Sequence, residues 1–270
     1  MNANSTYFIG KDHIACEDYA VAWSNPQSEM GVAIVCDGCS ASPDVDFGAR
    51  MLAKSAENLI LTRGDDPTIM TDAYEFGSYT ITTAEEIFDV LPVLHPNALD
   101  ATLLVAMANK PKNTLVVFMY GDGVLVHRTN TTVHTAHINL SSGAPDYLSY
   151  HLDPLREQAY LDAFEDNKKI IIIREGDKES VRDDYGPFNP FIYDTTVAEG
   201  DVIAVISDGI NSFRKMNNDP IPWNDLIEEF TGYKTFEGEF VLRRVAAFKR
   251  KCLKEGVTHS DDISVGAIVI

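Results

Sequence analysis

Acidic residues at the ends of apolar runs are the part of this sequence best suited to chemistry. Asp37-Gly38 closes Gly31-Val-Ala-Ile-Val-Cys, Gly121-Asp122-Gly123 closes Leu115-Val-Val-Phe-Met-Tyr, and Asp208-Gly209 closes Asp201-Val-Ile-Ala-Val-Ile-Ser. Asp261-Asp262 opens a fourth run, Ile263 to Ile270, and Glu17-Asp18 stands just ahead of Tyr19 to Trp23. Any single Asp-Gly of this kind is an ordinary turn, because glycine supplies positive φ and aspartate bonds its own backbone. Repetition at strand ends opens a second reading. Carboxylates brought together repel one another and take up protons unless a cation sits among them, so convergence of these ends predicts bound divalent metal.

Apolar periodicity supplies the elements that would carry these residues. Met51, Leu52, Ala56, Leu59 and Ile60 recur at helical spacing over 47–61, with Arg63-Gly64 as the stop, and a second helix is predicted over 72–90, ended by Pro92. Strands are predicted over 101–108, 114–120, 124–128 and 132–138, with short turns between them. Such connections make an antiparallel meander and exclude a doubly wound parallel sheet, which needs a helix between strands. Further on come a short helix over 154–164 and a strand over 169–174 whose four consecutive isoleucines predict burial on both faces. A loop over 183–190, a strand over 201–207, a helix over 237–255 and a last strand follow. With no repeat, low-complexity tract or linker, the expectation is one domain spanning 1–270, with 141–197 as a variable cover over the site.

Composition narrows the function classes. The 270 residues are 45% hydrophobic, enough for a full core, and carry a formal net charge of -19. That charge repels phosphate backbones and argues against nucleic-acid binding; the short Lys249-Arg250-Lys251 cluster reads as a solvated helix face. The N-terminus lacks a basic region followed by an apolar core, and no apolar run approaches the roughly 20 residues that span a bilayer. A soluble cytoplasmic protein without membrane association is therefore expected. Cys36 and Cys39 form a CxxC around Asp37-Gly38 that on paper is half a zinc site or a redox pair, but no second pair completes four ligands, so reduced thiols are expected for Cys16, Cys36, Cys39 and Cys252.

Taken in order, the early Glu-Asp, the Asp-Gly after an apolar strand, the Gly-Asp-Gly after a meander strand, Ile-Ser-Asp208-Gly209 and the terminal Asp261-Asp262-Ile-Ser-Val resemble the metal-dependent type-2C protein phosphatases over nearly the whole chain. The resemblance implies an α+β fold, a four-layer αββα sandwich with two central, mainly antiparallel sheets flanked by helices and a metal cleft at one end. By the family pattern, Asp37 would bridge two ions beside the Gly38 carbonyl, Asp208 and Asp261 would complete one ion, and Glu17 and Asp18 would hold the other or its waters. Asp122 would join Asp208 at a third. Hard carboxylate ligands favour Mg2+ or Mn2+, two or three ions in all. Two cations about 3.5 to 4 Å apart suit hydrolysis of a phosphomonoester by activated water, with no side-chain nucleophile. The implied partner is a phosphoprotein carrying phosphoserine or phosphothreonine, and the chain is expected to act as a monomer.

Departures from the family pattern concern rate and substrate. Where many members place an arginine on the substrate phosphate, this chain has His13, which with Lys11 could contact phosphate but lacks arginine's fork, or could simply cap a turn. Cys39 stands where a histidine often follows Asp-Gly, Asp262 replaces an asparagine, and His259 could protonate a leaving alcohol or be a plain loop residue. Three functions fit: an active serine/threonine phosphoprotein phosphatase, a pseudophosphatase serving as a binding or regulatory domain, and a phosphatase of small phosphoesters.

Overall fold

The computed structural model describes residues 1–64, 66–91, 93–176, 178–184 and 188–270. In chain order the elements begin with strands β1 (Asn2–Phe8), β2 (Asp18–Asn25) and β3 (Met30–Asp37), then helices α1 (Val45–Arg63), α2 (Pro67–Thr71) and α3 (Ala73–Phe88). The meander β4 (Leu103–Asn109), β5 (Thr114–Tyr120), β6 (Gly123–Arg128) and β7 (Val133–Leu140) follows, with α4 (Pro154–Ala163) after it. Next are β8 (Lys169–Glu175), β9 (Lys178–Asp184), β10 (Phe191–Thr196) and β11 (Val202–Ile206). The chain ends with β12 (Phe213–Arg214), α5 (Trp223–Thr231), α6 (Phe240–Glu255), β13 (Thr258–His259) and β14 (Ile263–Val269).

Two sheets form the middle of the molecule. One runs β1-β14-β11-β6-β7-β8-β9 and the other β10-β5-β4-β3-β2, and each named pairing within them is antiparallel. Two of the apolar runs noted in the sequence, β3 and β11, are strands covered on both faces. In β3, Met30, Val32, Ile34 and Cys36 face a core shared with α1 and α3, whereas Ala33 and Val35 face the opposite sheet. In β11, Val202, Ala204 and Ile206 face a core shared with α5 and α6, and Ile203 and Val205 point between the sheets. A period of two with apolar side chains at both phases gives a continuous run, and it requires a layer on each side. Helices, two sheets and helices therefore stack as the four-layer αββα sandwich that the resemblance implied.

Several sequence expectations need correction. The last two residues of β9 fall in the segment read as a loop, and β1, β10 and α5 were not anticipated. β1 is short of apolar residues and is held by its ladder to β14, a long-range pairing that local pattern cannot show. The isoleucines of β8 are not buried on both faces: Ile171 is buried, but Ile170, Ile172 and Ile173 remain partly exposed. β8 lies beside the edge strand β9, where the layers no longer enclose the sheet. Segment 141–197 is also more than a cover, since β8 and β9 extend one sheet and β10 forms an edge of the other. Pro92 and residues 185–187, named in the helix-stop and loop readings, lie outside the described residues.

Candidate metal centre

The acidic strand ends come together at one end of the sandwich. Asp18 and Asp37 are directly opposed in the β2–β3 ladder. The Asp37 amide donates to Thr102 Oγ1 at 3.2 Å and the Thr102 amide donates back to the Asp37 carbonyl at 2.9 Å, fixing the end of β3 against β4. Asp18 is buried and crosses to the other sheet, where Ser264 Oγ donates to its Oδ2 at 2.7 Å. The Ser264 amide in turn donates to Ser207 Oγ at 2.9 Å, and the Ser207 amide to the Ser264 carbonyl at 3.0 Å. These bonds tie the end of β11, which leads into Asp208, to the start of β14, which follows Asp261.

Glycines permit the approach. Gly121 and Gly123, at φ 88° and 134°, turn the chain on either side of Asp122 in a backbone region that side chains disfavour. Gly209 has a different reason: a Cβ there would lie 1.8 Å from the Asp262 carbonyl oxygen, so only glycine lets the two aspartate-bearing segments touch.

Electrostatics record the crowding. Burial first, then the neighbouring charges of Asp18, Asp208 and Asp122, hold the Asp37 carboxyl well above the usual carboxylate range. Asp122 is pushed up by burial, Asp208 and Asp146, and Asp261 by burial and Asp208. Burial raises Asp18 to about 7, even though Ser264 and Ser207 favour its charged form. The Asp18 Oδ1 atom is buried without a hydrogen-bond partner. An orphaned carboxylate oxygen among acids that protonate for want of positive charge is the chemistry of an oxygen-rich cation site, and the residues fit divalent Mg2+ or Mn2+.

A second cluster adjoins the first and is built on His13. Its Nε2 lies 3.2 Å from Asp261 Oδ1, while Nδ1 lies 3.3 Å from both Glu17 Oε2 and Asp262 Oδ2. Asp262 is buried and accepts the amides of Gly10 at 2.7 Å and Glu17 at 2.6 Å, so it clamps the loop that carries His13. Glu17 is engaged here too, receiving Ser40 Oγ at 2.6 Å, and with His13 and Asp262 it forms a group whose ligand atoms could hold a metal ion. His13 thus stands among three carboxylates. His259 is a packing residue: its ring lies 5.1 Å from those of both Phe8 and Phe213, and Nδ1 is 3.1 Å from the Asp261 carbonyl. Gly38 donates its amide to the Glu17 carbonyl at 3.2 Å. The four thiols are unbridged, and burial raises those of Cys16 and Cys36 above the usual range.

Sequence reasoning missed the groups that support the acids. Asp100 is buried, receives Ser42 Oγ at 3.0 Å and Ser149 Oγ at 2.6 Å, and pairs with Arg156 at 2.9 Å, fastening 148–156 to the turn after Gly38. Lys169 and Asp146 form a buried pair at 3.2 Å beside Asp122, with Lys169 also donating to the Asn189 carbonyl at 2.7 Å. Burial, the Cys39 thiol and the carboxylates of Asp37 and Asp122 hold the Tyr147 phenol above its ordinary range. A lysine directly ahead of an isoleucine run was the one local signal for the buried pair; the rest is long-range contact.

Residues 9–244 match the profile of the family described as protein phosphatase 2C. The chain belongs to the protein phosphatase 2C family. That family is metal-dependent, generally with Mg2+ or Mn2+, in keeping with the acidic cluster. No curated protein is significantly similar in sequence. The fold is shared with the PPM Ser-Thr phosphatase MsPP from Mycobacterium smegmatis, solved in complex with cacodylate, at TM-score 0.56 and 14% identity over 100% of this chain and 98% of that one. It is also shared with the serine/threonine phosphatase of S. agalactiae (TM-score 0.52, 13% identity, 99% of each chain). PppA, described as a key regulatory component of T6SS in Pseudomonas aeruginosa, matches at TM-score 0.51 and 14% identity over 98% of this chain and 95% of that one. No described helix is long and apolar enough to cross a membrane.

Proposed function

We propose that this protein is a Mg2+- or Mn2+-dependent serine/threonine phosphoprotein phosphatase. The observation that carries this reading is the joining of the acidic strand ends: Asp18 lies opposite Asp37 in the β2–β3 ladder and accepts Ser264 Oγ from the other sheet, Ser264 is bonded to Ser207 beside Asp208, and Gly209 packs against the Asp262 backbone. Asp37, Asp208 and Asp261, with the Gly38 carbonyl, would hold the principal cations, and Asp122 with Asp208 a further one. Bound there, divalent cations supply an activated water and neutralise phosphoryl charge. The chain's own residues set the frame. Ser207 and Ser264 hold Asp18 across the sheet interface, Thr102 fixes Asp37, and Asp262 with His13 restrains the Glu17 loop. No histidine, serine or cysteine is required as nucleophile.

Hydrolysis of p-nitrophenyl phosphate tests this directly. Purified protein supplied with Mn2+ should turn over the ester, lose activity with chelator, and lose about 100-fold or more in Asp37→Asn or Asp208→Asn. Turnover that survives chelation would sink the mechanism. Phosphoserine peptides compared with small phosphoesters then assign the substrate class.

One feature favours a second reading, a pseudophosphatase that binds phosphoprotein without useful turnover. His13 stands at the position of the family's phosphate-gripping arginine, yet both ring nitrogens face carboxylates. Tight phosphopeptide binding by the Mn2+-loaded protein with no release of phosphate would establish that reading over the first.

A further inference from the structure

Beside the acidic cluster runs a groove of opposite character. Its volume is about 550 Å³, and its walls are Lys11, Ser212, Arg214, Lys215, Thr258 and Ser260 with their neighbours. The walls continue directly from the candidate metal ligands: the short helical turn that begins at Asp208 ends at Ser212, and Ser260 immediately precedes Asp261. Backbone pairing fixes them. Arg214 pairs with Thr258 and Phe213 with His259 in the β12–β13 ladder, while the Lys11 amide donates to the His259 carbonyl at 3.2 Å from the other side.

The charge of this groove runs against the rest of the molecule. In a chain of net charge -19, three cations and, among the described residues, no carboxylate line it. Among the described residues none of the three forms an ion pair with an acid. Arg214 Nη1 donates to the carbonyls of Asn211 at 2.6 Å and Phe213 at 2.9 Å, which orients the guanidinium without neutralising it. The nearby acids are directed elsewhere or lie outside: Asp219 accepts Asn217 Nδ2 at 2.7 Å, and Asp12 is exposed next to Lys11 without lining the groove. Lys11 and Lys215 are exposed, so their charge acts on what arrives from solution.

We infer that this groove binds acidic side chains, Asp or Glu, of the polypeptide segment that flanks the phosphorylated residue, and so selects substrates with acidic flanks. The inference rests on the phosphoprotein phosphatase reading above for what occupies the neighbouring cluster. Three cations from two separate segments, Lys11 after β1 and the adjacent Arg214 and Lys215, line a groove of about 550 Å³, roomier than one phosphate needs, and so suit an acidic chain better than a single phosphate, which favours convergent forked donors. The contact also gives a strongly acidic protein a local attraction for an acidic partner that its overall field would repel.

The test uses phosphoserine-mimic peptides carrying a non-hydrolysable phosphonate, labelled for fluorescence anisotropy, with Mn2+ present. One peptide has Asp and Glu flanks, one has Ala flanks, and one has Ala flanks with a second phosphonate. The wild-type protein should bind the acidic peptide more tightly than the neutral one by about five- to tenfold at low salt, with the preference shrinking as salt rises. Lys215→Ala should reduce the preference and Lys215→Glu abolish it, with binding of the neutral peptide and turnover of p-nitrophenyl phosphate unchanged. Equal affinity for acidic and neutral peptides, or equal weakening of both by Lys215→Glu, would overturn the inference. A preference confined to the doubly phosphonylated peptide would reassign the groove to a second phosphate and overturn it as stated. Loss of metal-dependent p-nitrophenyl phosphate turnover in the wild type, with the acidic preference intact, would defeat the catalytic reading and leave the groove standing.

Discussion

Asp262 shows how one side chain can change meaning between sequence and structure. In the sequence it is an extra negative charge next to a candidate ligand; in the fold it is a buried acceptor for the amides of Gly10 and Glu17 and a partner for His13. Asp262→Ala would leave one buried and one part-buried amide donor and an imidazole without their acceptor, and should cost about 2 to 4 kcal/mol in urea unfolding. Asp262→Asn keeps one acceptor oxygen and should lose about half as much. His13→Ala separates position from contact. If His13 serves only to restrain Glu17, Asp261 and Asp262, KM for p-nitrophenyl phosphate stays unchanged while stability falls; a large rise in KM would make it a phosphate ligand.

The elements converge because their ends are fastened to each other, and two fastenings can be broken separately. Gly209 follows Asp208 at the end of β11 and touches the backbone before β14, where a Cβ would lie 1.8 Å from a carbonyl oxygen. Gly209→Ala must push these ends apart, at a cost of about 3 kcal/mol or more on thermal or urea unfolding, and should weaken Mn2+ binding measured by calorimetry. The second fastening is the Lys169–Asp146 pair, which joins β8 to the segment before α4. Lys169→Met strands a buried carboxylate near Asp122 and should cost about 3 to 5 kcal/mol, whereas the double variant Lys169→Met with Asp146→Leu should recover much of that loss.

At the scale of the molecule, the acidic centre sets how stability depends on pH. Asp18 is raised from an ordinary carboxylate value to about 7, so between roughly pH 4 and pH 7 the unfolded chain has released a proton that the folded one retains. Its contribution is fully present below pH 4 and is lost as pH rises toward 7, and the upward shifts of Asp37, Asp122 and Asp261 act in the same direction. The metal-free protein should therefore lose stability across this range. Mn2+, which binds the deprotonated acids, should raise Tm more at pH 7.5 than at pH 5.5 in differential scanning calorimetry. An increment independent of pH would contradict a site built from these carboxylates. The antiparallel strands and the acidic strand ends were legible in the residues, because short turns separate the apolar runs and Asp-Gly marks where they stop; the layered sandwich came only through the family resemblance. The order of those stops carried the family as well. What each acid does was decided only by tertiary structure. Glu17 and Asp18 are adjacent in the chain, but strand pleating sends one to His13 and Ser40 and the other across the sandwich to Ser264. Contacts between residues more than 200 positions apart, such as Gly10 with Asp262, leave no local pattern, since only the closed stack of sheets brings their partners within reach.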